Sequence, residues 1–496
     1  MSAARGPGPL RRAVVGGLVV ACLALVAVAS AARVGRRTTG TLAPGPSDAS
    51  AASVASPATS AAWYCAGPLP VGARPEASSI AIANVGDRAL RGEVRLSEST
   101  GRSLTVPVAV GPSDEAVVGL PRSGRRAFAA ATVLVDGASV GVEELIHGPA
   151  GPVASPCVSE AGTEQLLAAG STAGADDVAL ALYVPGATPG VASVTVHVGS
   201  QALAPPAFQG IPVAAGGLVV LNVGHYVSGR QLLALAVTST GGRVVAGALE
   251  VHLVGRALVS ALVPGALAPR TTWYFPGAPA AGAARQALDV YNPGPRPARV
   301  LVASKCAAGS PATTVTVGPG AVVEVPAAPG PLRWTLVTST NGVGIVAQRA
   351  ATVSRALVPP PRHAGPSLTA LPPLRPGFGL TTGTAAAHER WLVPGGESDR
   401  HASVLLSVSN PSRRALTFTV ERLAGPSVGG MPAPAALVVP AQGTTVVDLA
   451  QLVGARAPVL PLVVTASGPV VVGSLLYSRG SGQALGFSAP LAIPVE

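Results

Sequence analysis

A phrase that opens each of several repeats constrains this chain more than any other feature. Trp63-Tyr64-Cys65-Ala66-Gly67 recurs as Trp273-Tyr274-Phe275-Pro276-Gly277 and again as Trp391-Leu392-Val393-Pro394-Gly395. About twenty residues beyond each Trp, a short alternating strand ends at Asn84, Asn292 or Asn410. Apolar residues stand two and four places earlier: Ile82 and Ile80, Val290 and Leu288, Val408 and Leu406. A degenerate copy lies between the first two, where Leu180 and Leu182 precede Val184 and no Trp stands where one is expected. Self-similarity at a period of about 100 residues predicts a string of like modules, each able to close its own small core.

Composition decides the class of module. Charged residues are 11% and aromatics 3% of the 496 residues. Val alternates with small or polar residues, and Gly or Pro recurs about every eight to twelve positions, which is strand and turn patterning. A second alternating strand follows each Asn: Val94 and Leu96, Val194 and Val196, Val300 and Val302, Phe418 and Val420. Gly111-Pro112-Ser113, Gly318-Pro319-Gly320 and Pro440 to Gly443 then predict hairpin turns, because Pro presets φ and Gly accepts positive φ. Polar turns at Val135-Asp136-Gly137, Ser239 to Gly242, Ser339 to Gly342 and Ala466-Ser467-Gly468 predict a closing strand pair. About six or seven short, half-apolar strands per module suit a two-sheet sandwich.

The predicted fold is therefore all-β, with four tandem Ig-like β-sandwich modules at 63–157, 158–268, 269–358 and 388–496. Before them come a cytoplasmic stub with a signal anchor or signal peptide, 1–37 (apolar 13–32), and a disordered linker, 38–62; a Pro-rich linker spans 359–387. Bulky rings are scarce, so Trp63, Trp273 and Trp391 are expected to plug the module cores. Cys65 and Cys157 flank the first module, and a disulfide between them would staple its ends. Cys306 is left as a free thiol or the odd member of a wider pairing.

Ala13 to Ala32 are twenty uncharged residues, long enough as a helix to cross a bilayer core of about 30 Å. With Arg11 and Arg12 before it, the segment predicts export: a single-pass membrane protein with an extracytoplasmic body, or a protein secreted after signal cleavage. Cys22 after Val19-Val20-Ala21 fits only a loose lipid-attachment pattern, since Leu23 to Ala29 stay apolar. The formal charge is +11, of which Arg5, Arg11, Arg12, Arg33, Arg36 and Arg37 supply six, leaving +5 for the rest. No basic stripe interleaved with aromatics is present, so no nucleic-acid partner is expected.

Chemical motifs are sparse. Gly137-Ala138-Ser139-Val140-Gly141 and Gly425-Pro426-Ser427-Val428-Gly429 match the serine-hydrolase spacing but lack a strand-turn-helix context. The seven His, at 147, 197, 225, 252, 363, 388 and 401, have no metal-ligand spacing. His388, Glu389, Glu397, Asp399 and His401 form the densest titratable group, read as solvated loop charges around Trp391. Glu143 and Glu144 are adjacent on a strand and would face opposite sides. No catalytic residue, cofactor or metal ligand is assigned.

The Trp-Tyr-Cys-Ala-Gly-Pro opening of residues 63–68 behind an apolar segment and linker, the later Cys157, and a Ser/Thr-Gly turn followed by Val-Val-Ala resemble DUF5719 of high-GC Gram-positive bacteria. The resemblance implies an exported or membrane-anchored protein with no assigned activity, working beside envelope-glycan machinery, and it offers no catalytic residues to carry over. The missing Trp of the second module departs from the pattern. Together these readings predict a non-enzymatic scaffold or binding accessory, held to the membrane by its N-terminal helix and meeting envelope proteins or glycan. The alternatives are an exported enzyme acting on envelope glycan, sited around His388 to His401 or at a module junction, and a secreted adhesin.

Overall fold

The computed structural model describes residues 60–71, 77–121, 127–148, 151–168, 170–278, 284–305, 311–327, 333–353, 377–394, 402–423, 436–449, 461–478 and 487–495. The apolar segment 13–32 with Cys22, the linker up to residue 59, Cys306, the Pro-rich stretch to residue 376, Ser427 with its motif, and Glu397, Asp399 and His401 lie outside the described residues. Among the described residues no helix is long and apolar enough to cross a membrane. The fold is all-β, with several antiparallel sheets.

The first module sets the pattern. Its strands are β1 (Ala61–Val71), β2 (Ala77–Asn84), β3 (Leu90–Glu98), β4 (Ser103–Val110), β5 (Asp114–Gly119), β6 (Ala127–Val135), β7 (Val140–Gly148) and β8 (Gly151–Pro156). They form two antiparallel sheets in the orders β1-β6-β3-β4 and β5-β2-β7-β8. Alternate residues of each strand enter the space between the sheets, so Trp63, Val94, Val133, Ile80, Ile82 and Val142 share one core. The third module repeats the arrangement with Thr272–Ala278, Arg333–Ser339, Ala298–Lys305 and Ala312–Val317 in one sheet. Its other sheet holds Val322–Pro326, Ala284–Tyr291, Val346–Val353 and Gly377–Thr382. The Pro-rich linker expected from the sequence includes residues 377–387. Instead Gly377–Thr382 is an edge strand paired along Val346–Val353, and Thr384 bridges to Tyr274; its glycines and threonines carry no alternating signal by which to recognise it. Likewise Ala61 and Ala62 belong to β1 and not to a linker.

The Gly-Pro turns do not close hairpins. β4 pairs with β3 and β5 with β2, so Gly111 to Ser113 carry the chain from one sheet to the other. The polar turn after Val135 does the same between β6 and β7, and in the fourth module one strand, Leu462–Ser478, runs through both sheets. Turn chemistry fixes local φ and ψ but does not say which strand the chain then meets. The buried Asn residues hold these crossings. Asn292 Nδ2 donates to Arg296 O at 2.7 Å and Gly318 O at 3.0 Å, and its Oδ1 accepts from Gly294 N at 3.0 Å. Asn84 and Asn410 make the matching bonds, to Arg88 and Gly111 and to Arg414 and Pro440.

Trp63, Trp273 and Trp391 are at most 1% exposed. In the second module Gln165 stands at their position. It faces Val237, as Trp273 faces Val337 and Trp391 faces Val464. Gln165 Nε2 donates to Val244 O at 3.1 Å, the bond that Trp273 Nε1 makes to Ile345 O at 2.8 Å and Trp391 Nε1 to Val470 O at 3.0 Å. The side chain is smaller, but the donor is kept.

The four modules close into a ring. Glu143, Gly247, Gln348 and Gly473 are equivalent positions, each paired with the residue three places before Asn84, Val184, Asn292 or Asn410. The opening strand of the first module crosses Gly247 so closely that a Cβ there would stand 2.9 Å from the Ala66 carbonyl carbon, which only Gly permits. Ala168 N, in the second module, donates to Gln348 Oε1 at 2.6 Å in the third. A Cβ on Gly473 of the fourth module would meet Pro276 of the third at 2.6 Å. The circle is completed where Leu392 and Ile493 of the fourth module enter the core of the first beside Gly141. At the axis Ala154, Leu262, Thr381 and Leu491, one from each module, surround a void of only about 20 Å³. The centre is packed.

Candidate functional site

An acid-lined concavity lies between the second and third modules, a cleft of about 440 Å³. One wall is the face of the third module's Ala284–Tyr291 sheet turned away from its core. Leu288 and Val290 point inward, so the strand period of two turns Arg285, Ala287 and Asp289 outward, beside Ala350, Thr352, Phe378 and Leu380 of the neighbouring strands. The opposite wall is the second module: Glu250 and His252 on Val245–Val254, with Ser171, Asp176 and Leu232 from adjoining loops.

Four carboxyl groups therefore meet one guanidinium and one imidazole. His252 sits between two acids, Nε2 3.1 Å from Glu250 Oε2 and Nδ1 3.2 Å from Asp176 Oδ2, with its ring 3.8 Å from that of Phe378. Burial opposes the imidazolium, but the hydrogen bond and charge of Glu250, then Asp176, outweigh it and raise the His252 pKa. Asp176 is otherwise engaged, Oδ2 accepting from Ser171 Oγ at 2.8 Å and Oδ1 from Leu253 N at 3.0 Å. Arg285 pairs with Glu324. Glu250 is 1% exposed and Asp289 4%, and Glu250 Oε1 and Asp289 Oδ1 have no hydrogen-bond partner among the described residues. Burial first, then the charges of Glu324 and Glu250, holds Asp289 well above the usual carboxylate range. Such perturbed groups gathered in a concave junction mark a candidate site.

In the sequence His252 is one of seven scattered His, and Glu250 and Asp289 belong to no motif. The available signal is a charge inside an apolar strand: Leu249-Glu250-Val251 and Leu288-Asp289-Val290 each set an acid between two apolar residues. The densest titratable group, around Trp391, gathers no site among the described residues. The His388 carbonyl accepts from Trp391 Nε1 at 3.1 Å and its ring stands edge-to-face on the indole.

Cys65 and Cys157 form a disulfide that ties β1 to the residue after β8. Glu144 lies beside it, and Glu144 Oε2 accepts from Gly67 N at 3.1 Å. Burial pushes the Glu144 carboxyl up to about 8, the Gly67 bond acting the other way. Glu143, on the opposite face, is also buried and raised, by desolvation and then by Glu115 and Glu144. The equivalent of Glu144 in the third module is Arg349, whose guanidinium donates to the Pro276 carbonyl and lies 5.7 Å from the Phe275 ring centre. In both modules a buried ionisable side chain fastens the opening strand. These are structural anchors, and neither lines the cleft between the second and third modules.

Residues 124–358 match the model of DUF5719, a family of unknown function. The DUF5719 match covers most of the cleft, from Gly170 to Thr352, leaving only Phe378 and Leu380 beyond it. No curated protein matches the chain. Among solved structures, a tetra-tandem repeat in the extending region of a large adhesion protein aligns at 14% identity over 83% of this chain and 93% of that one. Its TM-score is 0.10, and it carries no argument about this protein.

Proposed function

We propose that this protein is a non-enzymatic, extracytoplasmic binding accessory or scaffold of the bacterial cell envelope, tethered at the membrane by its N-terminal segment. Its ligand would be held in the cleft between the second and third modules. The observation that carries this reading is the cleft itself: about 440 Å³, walled by two sheets, with two buried carboxyl oxygens that have no hydrogen-bond partner among the described residues. A cavity of this size falls within the range of small-molecule and side-chain sites. Supporting export are the apolar Ala13 to Ala32 behind Arg11 and Arg12 and the Cys65–Cys157 disulfide, which suits an oxidising compartment.

Two measurements test it. A reporter fused after Glu496 that works only outside the membrane should be active; activity of a cytoplasmic reporter would sink the topology. The full chain in detergent, incubated with an envelope fraction, should retain envelope protein or glycan, and Glu250→Gln with Asp289→Asn should lose that retention while keeping its melting temperature. No retention by the wild type would remove the binding reading. The second reading, an exported enzyme acting on envelope glycan, draws on two carboxyl groups, Asp289 and Glu250, lining one cleft, with burial raising the pKa of Asp289. Recovered glycan that is chemically altered only by the wild type would favour it.

A further inference from the structure

We propose that the cleft between the second and third modules binds an alkylammonium group, the cationic end of a primary amine carried on an apolar stem. The inference rests on reading this cleft as the binding site, and it names the chemistry the site would select.

The inventory of the cleft gives the argument. Asp176 is engaged by Ser171, Leu253 and His252, and Glu324 by Arg285. Glu250 gives one oxygen to His252 and keeps Oε1 free; Asp289 keeps Oδ1 free. Both free atoms are acceptors on side chains more than nine-tenths buried, so what fills the cleft must bring donors. Even with His252 protonated and Asp289 neutral, three carboxyl groups stand against the two cations of the cleft, and the ligand should be positive as well. An ammonium supplies up to three N–H donors on a compact charge.

A bare divalent metal suits the site less well. Calcium takes about six to eight oxygens in its first shell. Among the described residues the one group of three potential ligand atoms within 4.8 Å of one another is Cys65, Glu144 and Cys157, which is elsewhere. The volume also exceeds what one ion fills. Gln231 and Thr352 also line the cleft, and beside them runs an apolar stretch of Leu232, Ala287, Ala350, Leu380 and the Phe378 ring against His252. Methylene groups can lie along that wall while the charged end reaches the acids. An incoming cation would favour the charged form of Asp289 and so oppose the burial that raises its pKa.

Two sources share this chemistry, a free small amine and a Lys side chain of a peptide. Isothermal titration of the full chain in detergent would use 1,5-diaminopentane for the first, N-acetyl-lysine methylamide for the second, and 1-pentanol and calcium chloride as comparisons. Saturable one-to-one binding of at least one amine is expected, at least tenfold tighter than 1-pentanol. The amine that binds more tightly identifies the source. Glu250→Gln and Asp289→Asn should each weaken amine binding at least tenfold with an unchanged melting temperature. The proposal is overturned if the amines bind no better than 1-pentanol, if calcium at equal concentration displaces them, or if both variants bind as the wild type does. The amine-to-alcohol comparison uses the wild type alone, so it decides even where a variant fails to fold. Failure of the amines with envelope retention intact would sink this inference and leave the binding role standing; the reverse result would do the opposite.

Discussion

Ser488 and Ala154, 334 residues apart, hold each other by two hydrogen bonds: Ala154 N donates to Ser488 Oγ at 3.0 Å, and Ser488 Oγ lies 3.2 Å from Ala154 O. Ala154 lies on the last strand of the first module and Ser488 near the end of the described chain, so this contact closes the ring. Thr381 Oγ1, donating to Ala489 O at 2.6 Å, adds the third module to the same seam. Closure places the acid-lined cleft between two modules held on both sides and fixes the spacing of its walls.

The shared core should make the modules unfold together. Leu392 and Ile493 belong to the fourth module yet are fully buried in the core of the first. Leu392→Ala should cost ~2–5 kcal/mol. Amide exchange should quicken in β2 and β7 as well as in the fourth module. Loss of protection confined to residues 388–495 would mean that the first module stands alone.

Gln165 and the three Trp should differ in what they contribute. Trp391→Ala or Trp273→Ala removes a large buried ring and should cost ~3 kcal/mol or more. Gln165→Ala leaves the Val244 carbonyl without its donor and should cost ~1–3 kcal/mol. Gln165→Leu should be no better than Gln165→Ala if the hydrogen bond is what the position keeps. Denaturant unfolding of the three variants would show it.

Glu144 gives stability a pH dependence. The folded carboxyl keeps its proton to about pH 8, whereas an unperturbed one releases it near 4.5. Between these values the unfolded state holds fewer protons, so stability falls as pH rises, by up to ~1.4 kcal/mol per pH unit from this one group. Glu144→Gln keeps an acceptor for Gly67 N and should flatten the slope between about pH 5 and 8. An unchanged slope in that variant would refute the assignment.

The disulfide should be both stabilising and shielded. Cys65 and Cys157, separated by 92 residues, are at most 1% exposed, and closing a loop of that length is worth ~4 kcal/mol in the chain-entropy model. Replacing both by Ser should lower stability by about that amount. In the native protein, reductant should act only at the rate of unfolding. Rapid reduction without loss of structure, followed by thiol labelling, would contradict the burial.

Much of the fold could be read from particular residues. The Val alternation and the spaced turns announce strands and sandwiches, and the three Trp-opened phrases mark where modules begin. Residues such as Gly247 and Gly473 look like ordinary strand glycines in sequence, and only the neighbouring module's approach explains them. The ring was therefore not legible: its contacts join equivalent positions of different modules, and periodicity within a strand says nothing about which outer face meets which. The cleft was hidden for the same reason. Asp289 and Glu250 lie 39 residues apart on different modules, each a single charge in an apolar strand, and neither makes a motif until the modules pack.

Ring closure is tested most directly by trapping the seam itself. In a full chain carrying Cys306→Ser, the pair Ala154→Cys and Ser488→Cys should oxidise to an intramolecular disulfide in nearly every molecule, visible as a peptide pair in a non-reducing map. Thermal stability should be unchanged or raised. Two free thiols at 154 and 488 beside an intact Cys65–Cys157 bond would show that the first and fourth modules do not meet, and the ring would give way to a string.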